Sequence, residues 1–338
     1  MDKYQEINGI MIIFIALINI KLNHKTPLIM DTNLVEIFYI IDEFCKEIER
    51  TMEGHCLTKD TSKKTRNRAF TMSNSEVITI MIMFHQSHYR DITAFYINYI
   101  QQHCQRDFPH TVSYNRFVEL QQKALIPMAV FLQLCCLGKC TGISFMDSTP
   151  IRVCHIKREK SHMVIERSRN KVFKGLAAKG KSAIGWFFGF KLHLVVNDKG
   201  EIIKFLITPA NADDREPLQD SRFHEKLFGK LFADKGYISQ SLFEKLFTDN
   251  IHLITEIRKN MKNALMHLHD KIILRKRAVI ETINDLLKNG CQIEHTRHRC
   301  LANFVGNLVA GLIACNLAPE KPALNLEIID LNAINKVA

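Results

Sequence analysis

The chain lacks an apolar run long enough to cross a membrane. Ile10–Ile20 (IMIIFIALINI) is about half of what a bilayer demands. Its head, MDKYQE, has no net positive charge, and no small-residue cleavage site follows, so a signal peptide is not expected. Met30 then opens DTNLVEIFYIIDEFCKEIER, a well-formed helix pattern, and residues 1–30 are expected to be an upstream extension outside the fold. A secreted disulfide framework is also missing. Of the 10 Cys, Cys135, Cys136 and Cys140 cluster in an apolar run and the rest lack paired spacing, which implies reduced thiols and a cytoplasmic protein. Cys291, His295, His298 and Cys300 do not have the spacing of a common zinc module, and Arg297 and Arg299 interleave them. Internal repeats and low-complexity tracts are absent.

At 338 residues the chain can bury a large core and is expected to form two domains. Its net charge of +11 is concentrated. Between Ile151 and Gly185, 10 Lys and Arg stand against 2 Glu, so 10 − 2 = +8 lies in one segment. It includes Arg167, Arg169, Lys171 and Lys174. Such concentration favours a polyanion as partner; the alternative is a solvated basic loop.

From Asp31 to about Lys139 the pattern is helical. Ser73 and Glu76 form a capping box before the apolar SEVITIMIMFHQ, and Ser113 stands where it can cap His110–Leu120. Asp91–Gln105 and that helix suit either a helix-turn-helix for DNA or plain packing. At Thr141 the texture changes. TGISFMDSTP reads as a short strand ending in Asp147. Trp186–Asn197 and Glu201–Thr208 read as strands joined by an Asp198-Lys199-Gly200 hairpin turn. Asn211–Glu225 reads as a helix, Lys230–Asp234 as a strand ending in an acid, Ser239–Thr248 as a helix and Ile251–Ile257 as a strand.

Lys271–Lys288 (KIILRKRAVIETINDLLK) reads as one amphipathic helix. Ile272, Val279, Ile280, Ile283, Leu286 and Leu287 gather on one side, and Arg277, Glu281 and Lys288 line the other. A carboxylate between two cations is either a solvated salt-bridge stripe or a metal-binding Glu with phosphate-holding neighbours. The element order decides between them. Strand with Asp, hairpin, helix, strand with Asp, helix, strand, helix with Glu is the order of a ribonuclease-H-like (retroviral-integrase-like) α/β core with a mixed sheet. In that topology the first and fourth strands are adjacent and parallel. Asp147 and Asp234 then sit at neighbouring strand ends with Glu281 alongside, an all-oxygen site suited to Mg2+.

The blocks FMDSTP, GWFFGFKLHLVVND, ANADDREPL, LFADKGYIS, RAVIETINDLLK and IEHTRHR, in this order, resemble the DDE-type transposases of bacterial insertion sequences. The resemblance is greatest to insertion-sequence family 982 and covers roughly Leu34 to Pro322. It implies an all-helical, DNA-binding domain over 31–139, a catalytic domain over 140–322 and a tail over 323–338. Asp147, Asp234 and Glu281 would be catalytic and would hold two Mg2+ or Mn2+ ions. Arg277 and Lys288 fit the R-x3-E-x6-K part of a transposase signature, whereas Leu274 stands where that signature has a Tyr. Together with Arg167, Arg169, Lys171 and Lys174 they would contact DNA. The resemblance implies DNA, both element ends and target, as partner, and a homo-oligomer assembled on it. No covalent protein intermediate is needed, in keeping with the absence of a Ser or Tyr nucleophile motif. Two other readings are a ribonuclease-H-like nuclease without strand transfer and an inactive DNA-binding remnant.

Overall fold

The computed structural model describes residues 34–55, 71–87, 89–155, 173, 175–182, 184–257, 266–294, 298 and 300–324. Among those before Gly138, all regular structure is helical. Helix α1 (Leu34–His55) is followed by α2 (Asn74–Gln86), then by α3, residues 92–103 with a π turn over Phe95–Ile100. Helix α4 (Tyr114–Phe131) runs on into a π turn at Leu132–Cys136. The expected capping box starts α2: Ser73 Oγ accepts from the Glu76 amide at 3.1 Å, and Glu76 Oε2 accepts from the Ser73 amide at 2.7 Å. Ser113, in contrast, precedes α4 without a side-chain cap. Helices α3 and α4 are locked by Tyr96, whose ring stacks on Phe117 at 4.2 Å and whose hydroxyl donates to the Val112 carbonyl at 2.7 Å.

Strands β1 (Ile143–His155), β2 (Ala178–Ser182), β3 (Gly185–Asn197), β4 (Ile202–Pro209), β5 (Gly229–Ala233) and β6 (Ile251–Thr255) make one mixed sheet. Its order is β2-β3-β1-β5-β6, with β4 also pairing β3. Strands β1, β2 and β4 run antiparallel to β3, while β1, β5 and β6 are parallel. This arrangement is compatible with the ribonuclease-H-like core expected. The β3–β4 hairpin closes at Asp198-Lys199-Gly200 as its chemistry predicts, with Gly200 at φ 75° in the left-handed region a third loop residue requires.

The sheet is covered on both sides. One core contains Phe145, Leu192, Leu194 and Phe232 and runs without a break into α1, α2, α4 and α10 (Leu301–Asn316). The other contains Met146, Val195, Leu231, Ala233 and Tyr237 beneath α7 (Gln240–Thr248). Because side chains alternate along a strand, Asp147 lies on the face of Phe145 and Ser148 on the face of Met146. Among the described residues no helix is long and apolar enough to cross a membrane.

Three expectations need correction. Strand β1 does not end at Asp147 but continues through Pro150 to His155. Beyond Phe145 its β5 side is unpaired, a setting in which a strand tolerates proline. Asn211–Glu225 is not one helix but two short turns, α5 (Glu216–Gln219) and α6 (Ser221–His224). Asp220 ends the first, and its side chain caps the second by accepting from the Arg222 amide at 3.0 Å. Finally, Lys271–Lys288 is broken into α8 (Leu268–Arg275) and α9 (Ala278–Asp285), with a π turn over Leu286–Gly290. The break lets α8 pack on β5 and β6 while α9 packs on β1, and it leaves Ile272 47% exposed rather than in the stripe.

Candidate active site

The parallel pairing of β1 with β5 places Ile143, Ser144 and Phe145 opposite Lys230, Leu231 and Phe232. Asp147 and Asp234 each lie two residues beyond the last pair. Helix α9 crosses β1 on this face and brings Glu281 and, one turn later, Asn284 to the same end of the sheet. Asn284 Nδ2 donates to Asp147 Oδ2 at 3.0 Å.

Asp147 carries the electrostatic signature of the cluster. Burial is the largest influence and pushes its carboxyl up to about 6; the charges of Asp234 and Glu281 push the same way. Arg277 and the Ser148 amide oppose them. Asp234 and Glu281 are therefore close enough for their charges to disfavour that of Asp147. Each is meanwhile satisfied locally. Asp234 Oδ1 accepts from the Gly236 amide at 2.8 Å, which starts the 3-10 turn Lys235–Tyr237. Glu281 Oε1 accepts from Arg277 Nη2 at 2.8 Å. Among the described residues, no three His, Cys, Asp or Glu side chains are grouped closely enough to hold a metal ion as they stand. The donor set nevertheless fits a hard divalent cation by its chemistry: three carboxylates, all oxygen, one of them raised chiefly by burial and further by its like-charged neighbours.

The cations of the helix divide between two acids. Arg277, with a side chain only 18% exposed, pairs with Glu281. Lys288 instead lies 3.8 Å from Glu294, which also accepts from the Arg152 amide at 3.1 Å. Burial holds the Lys288 amine below the usual lysine range, against the pull of Glu294. The π turn after Asp285 takes Lys288 out of the Arg277–Glu281 stripe that helical spacing suggests. Arg167, Arg169, Lys171 and Lys174 lie outside the described residues.

Several groups around the acids have no local sequence signal. Asn284 is an ordinary helix residue until α9 lands on β1. On the opposite face of the sheet, Asp214 Oδ1 accepts from Ser148 Oγ at 2.7 Å and from Lys191 Nζ at 2.9 Å. Lys191 also donates to the Ala212 carbonyl at 2.8 Å. Asp214 falls within the block ANADDREPL, and that is the one hint the sequence offered.

Residues 137–301 match the transposase DDE domain family. The match supports a DDE-type transposase. It contains Asp147, Asp234 and Glu281 and every strand of the sheet. A comparison with curated proteins gave no match.

Proposed function

We propose that the chain is a DNA transposase, akin to insertion-sequence family 982, that cuts and joins insertion-sequence ends by metal-dependent phosphodiester hydrolysis and transesterification. The observation that supports this reading best is the level placement of Asp147 and Asp234 across the parallel β1–β5 pair with Glu281 alongside. Asp147, Asp234 and Glu281 would hold two Mg2+ or Mn2+ ions. Bound there, the ions would activate water or a DNA 3′-hydroxyl and stabilise the departing 3′-oxygen. The chain's own residues do the rest. Asn284 orients Asp147, Arg277 holds Glu281, and burial raises the Asp147 carboxyl to about 6. Arg277, Lys288 and the basic residues Arg167, Arg169, Lys171 and Lys174 would take DNA phosphates, with the N-terminal helices adding contacts and a homo-oligomer assembling on the DNA.

Incubating the protein with DNA that carries the element's ends, with and without Mg2+, tests the reading. Mg2+-dependent nicking followed by joining is expected, whereas no cutting in either condition would remove it. Cutting without joining would indicate a nuclease. Neutralising Arg167, Arg169, Lys171 and Lys174 together should weaken binding across sequences and reduce the salt slope by about 0.9 for each phosphate no longer neutralised. An unchanged slope would leave this segment a solvated loop.

A further inference from the structure

Trp186 is the only Trp of the chain, and it is 57% exposed. It stands near the start of β3, beside the tip of the β2–β3 hairpin where Ser182 pairs with Gly185. Ile184, at the same tip, is 85% exposed. Leu194 is the register partner of Asp147, and alternation from it through Leu192, Phe190 and Phe188 leads to Trp186. Those first four are buried in one core, and Trp186 is the next of the row, where it emerges from the protein. Lys181 lies opposite Trp186 in the ladder, with Nζ 5.9 Å from the ring centroid. Lys179 lies opposite Phe188 and therefore on the same face. From Arg167 to Asn197 the sequence has 7 Lys and Arg and no Asp or Glu.

A single exposed ring is ordinary, and a cross-strand Lys–Trp pair can support a hairpin by itself. What sets this ring apart is the charge around it. An apolar tip in a stretch without carboxylates suits a polyanion that also carries flat aromatic faces, and a nucleic acid is that partner. Paired bases hide their faces against one another, whereas an unpaired base offers one. We propose that the β2–β3 hairpin tip is a contact for single-stranded DNA, in which Trp186 stacks on an unpaired base while Lys179 and Lys181 take neighbouring phosphates. This rests on the reading of DNA as the partner. The contact is separate from the acids: Trp186 is 194 − 186 = 8 residues along β3 from the partner of Asp147, about 27 Å at 3.4 Å per residue.

Because the chain has one Trp, its emission reports on this side chain alone. The full chain is titrated with a fluorescently labelled single-stranded thymidine oligonucleotide, and separately with a labelled blunt duplex of the same length. Anisotropy of the label measures binding, and Trp emission measures stacking. The single strand should quench Trp186 as it saturates, and the duplex should leave the emission little changed. Trp186→Ala should weaken single-strand binding about 5- to 150-fold, the usual worth of one stacked base, with an unchanged melting temperature. Trp186→Phe keeps a ring and should recover most of that loss. Lys181→Ala should lower the salt slope by about 0.7. Should the single strand bind while the emission stays constant, or should Trp186→Ala bind it as tightly as wild type, the proposal falls alone. Quenching by the duplex as strong as by the single strand would also overturn it, in favour of a groove contact. Should neither DNA bind, the reading of DNA as partner and the proposal fall together.

Discussion

Asp147 of β1 and Asp234 after β5 stand level across a parallel strand pair, each two residues beyond the stacked rings of Phe145 and Phe232 (centroids 5.5 Å apart). The register up to Phe145 and Phe232 sets where both acids leave the pair. In a parallel pair every residue advances together, so fixing Phe145 against Phe232 fixes the acids. The stacked rings are fully buried on the face that α9 covers, and a one-residue slip would send one acid to the opposite face.

That register has a weak point that can be tested. Gly229 opens β5 at φ 81°, and a Cβ there would come 2.4 Å from the Gly142 carbonyl oxygen. Gly229→Ala should therefore destabilise the fold by about 1–3 kcal/mol and loosen the β1–β5 junction. Denaturant unfolding measures the first effect and the cleavage rate per folded molecule the second. A variant as stable as wild type would mean that the junction yields freely.

Asn284→Ala isolates the hold on Asp147. The substitution removes the amide that donates to Asp147 and also a buried carbonyl oxygen that has no partner among the described residues, so the stability change should be small. Cleavage should fall about 10–100-fold, the usual cost of losing a group that orients a ligand. Wild-type cleavage by a folded Asn284→Ala protein would show that Asp147 is held by its strand alone.

What could be read in the sequence were the features whose cause is local. The Asp198-Lys199-Gly200 turn, the Ser73–Glu76 box and the acid after each short strand carry their own chemistry. The element order then supplied the adjacency of Asp147 and Asp234. Other features are set by distant parts of the chain. No Pro or Gly marks the break between α8 and α9; its two halves dock on different strands. The strand was expected to end at Asp147, because the open edge that lets β1 run on through Pro150 could not be foreseen. Asn284 reaches Asp147 across 137 positions, and Ser148 reaches Asp214 across 66. Pairings that distant leave no periodicity to read.

Acid should weaken the fold through histidine. His85, His193 and His298 are held by burial at pKa values of about 4, below the usual histidine range. The unfolded chain therefore takes up protons that the folded chain refuses between about pH 6.5 and 4. Their contribution is complete above that window and lost as pH falls through it, by up to about 3 kcal/mol for one such group. Asp147 works in the opposite sense, since its raised carboxyl costs stability above about 6 and that cost is relieved on acidification. Three histidines against one acid leave a net loss. Melting temperature should drop steeply from pH 6.5 to 4, and a flat profile would contradict this account.

Glu281→Gln separates a catalyst from a DNA-binding module most cleanly. The side chain is 58% exposed, and its partner Arg277 is 2.8 Å away and mostly covered. Gln keeps the length, the helix propensity and an oxygen that can still accept from Arg277, so folding should change by no more than about 1 kcal/mol. What it loses is a negative charge beside Asp147 and Asp234, in a site that would hold divalent cations against their hydration. Cleavage of element-end DNA should fall at least about 10²-fold, as when one preorganised electrostatic group is lost from an active site. DNA binding should be retained or slightly tightened, since the missing charge would have repelled phosphate. The removal also relieves part of the repulsion on Asp147, whose carboxyl should then titrate lower than in wild type. Cleavage at the wild-type rate by a folded Glu281→Gln protein would take this residue out of the site and leave the Arg277–Glu281 pair as a surface salt bridge.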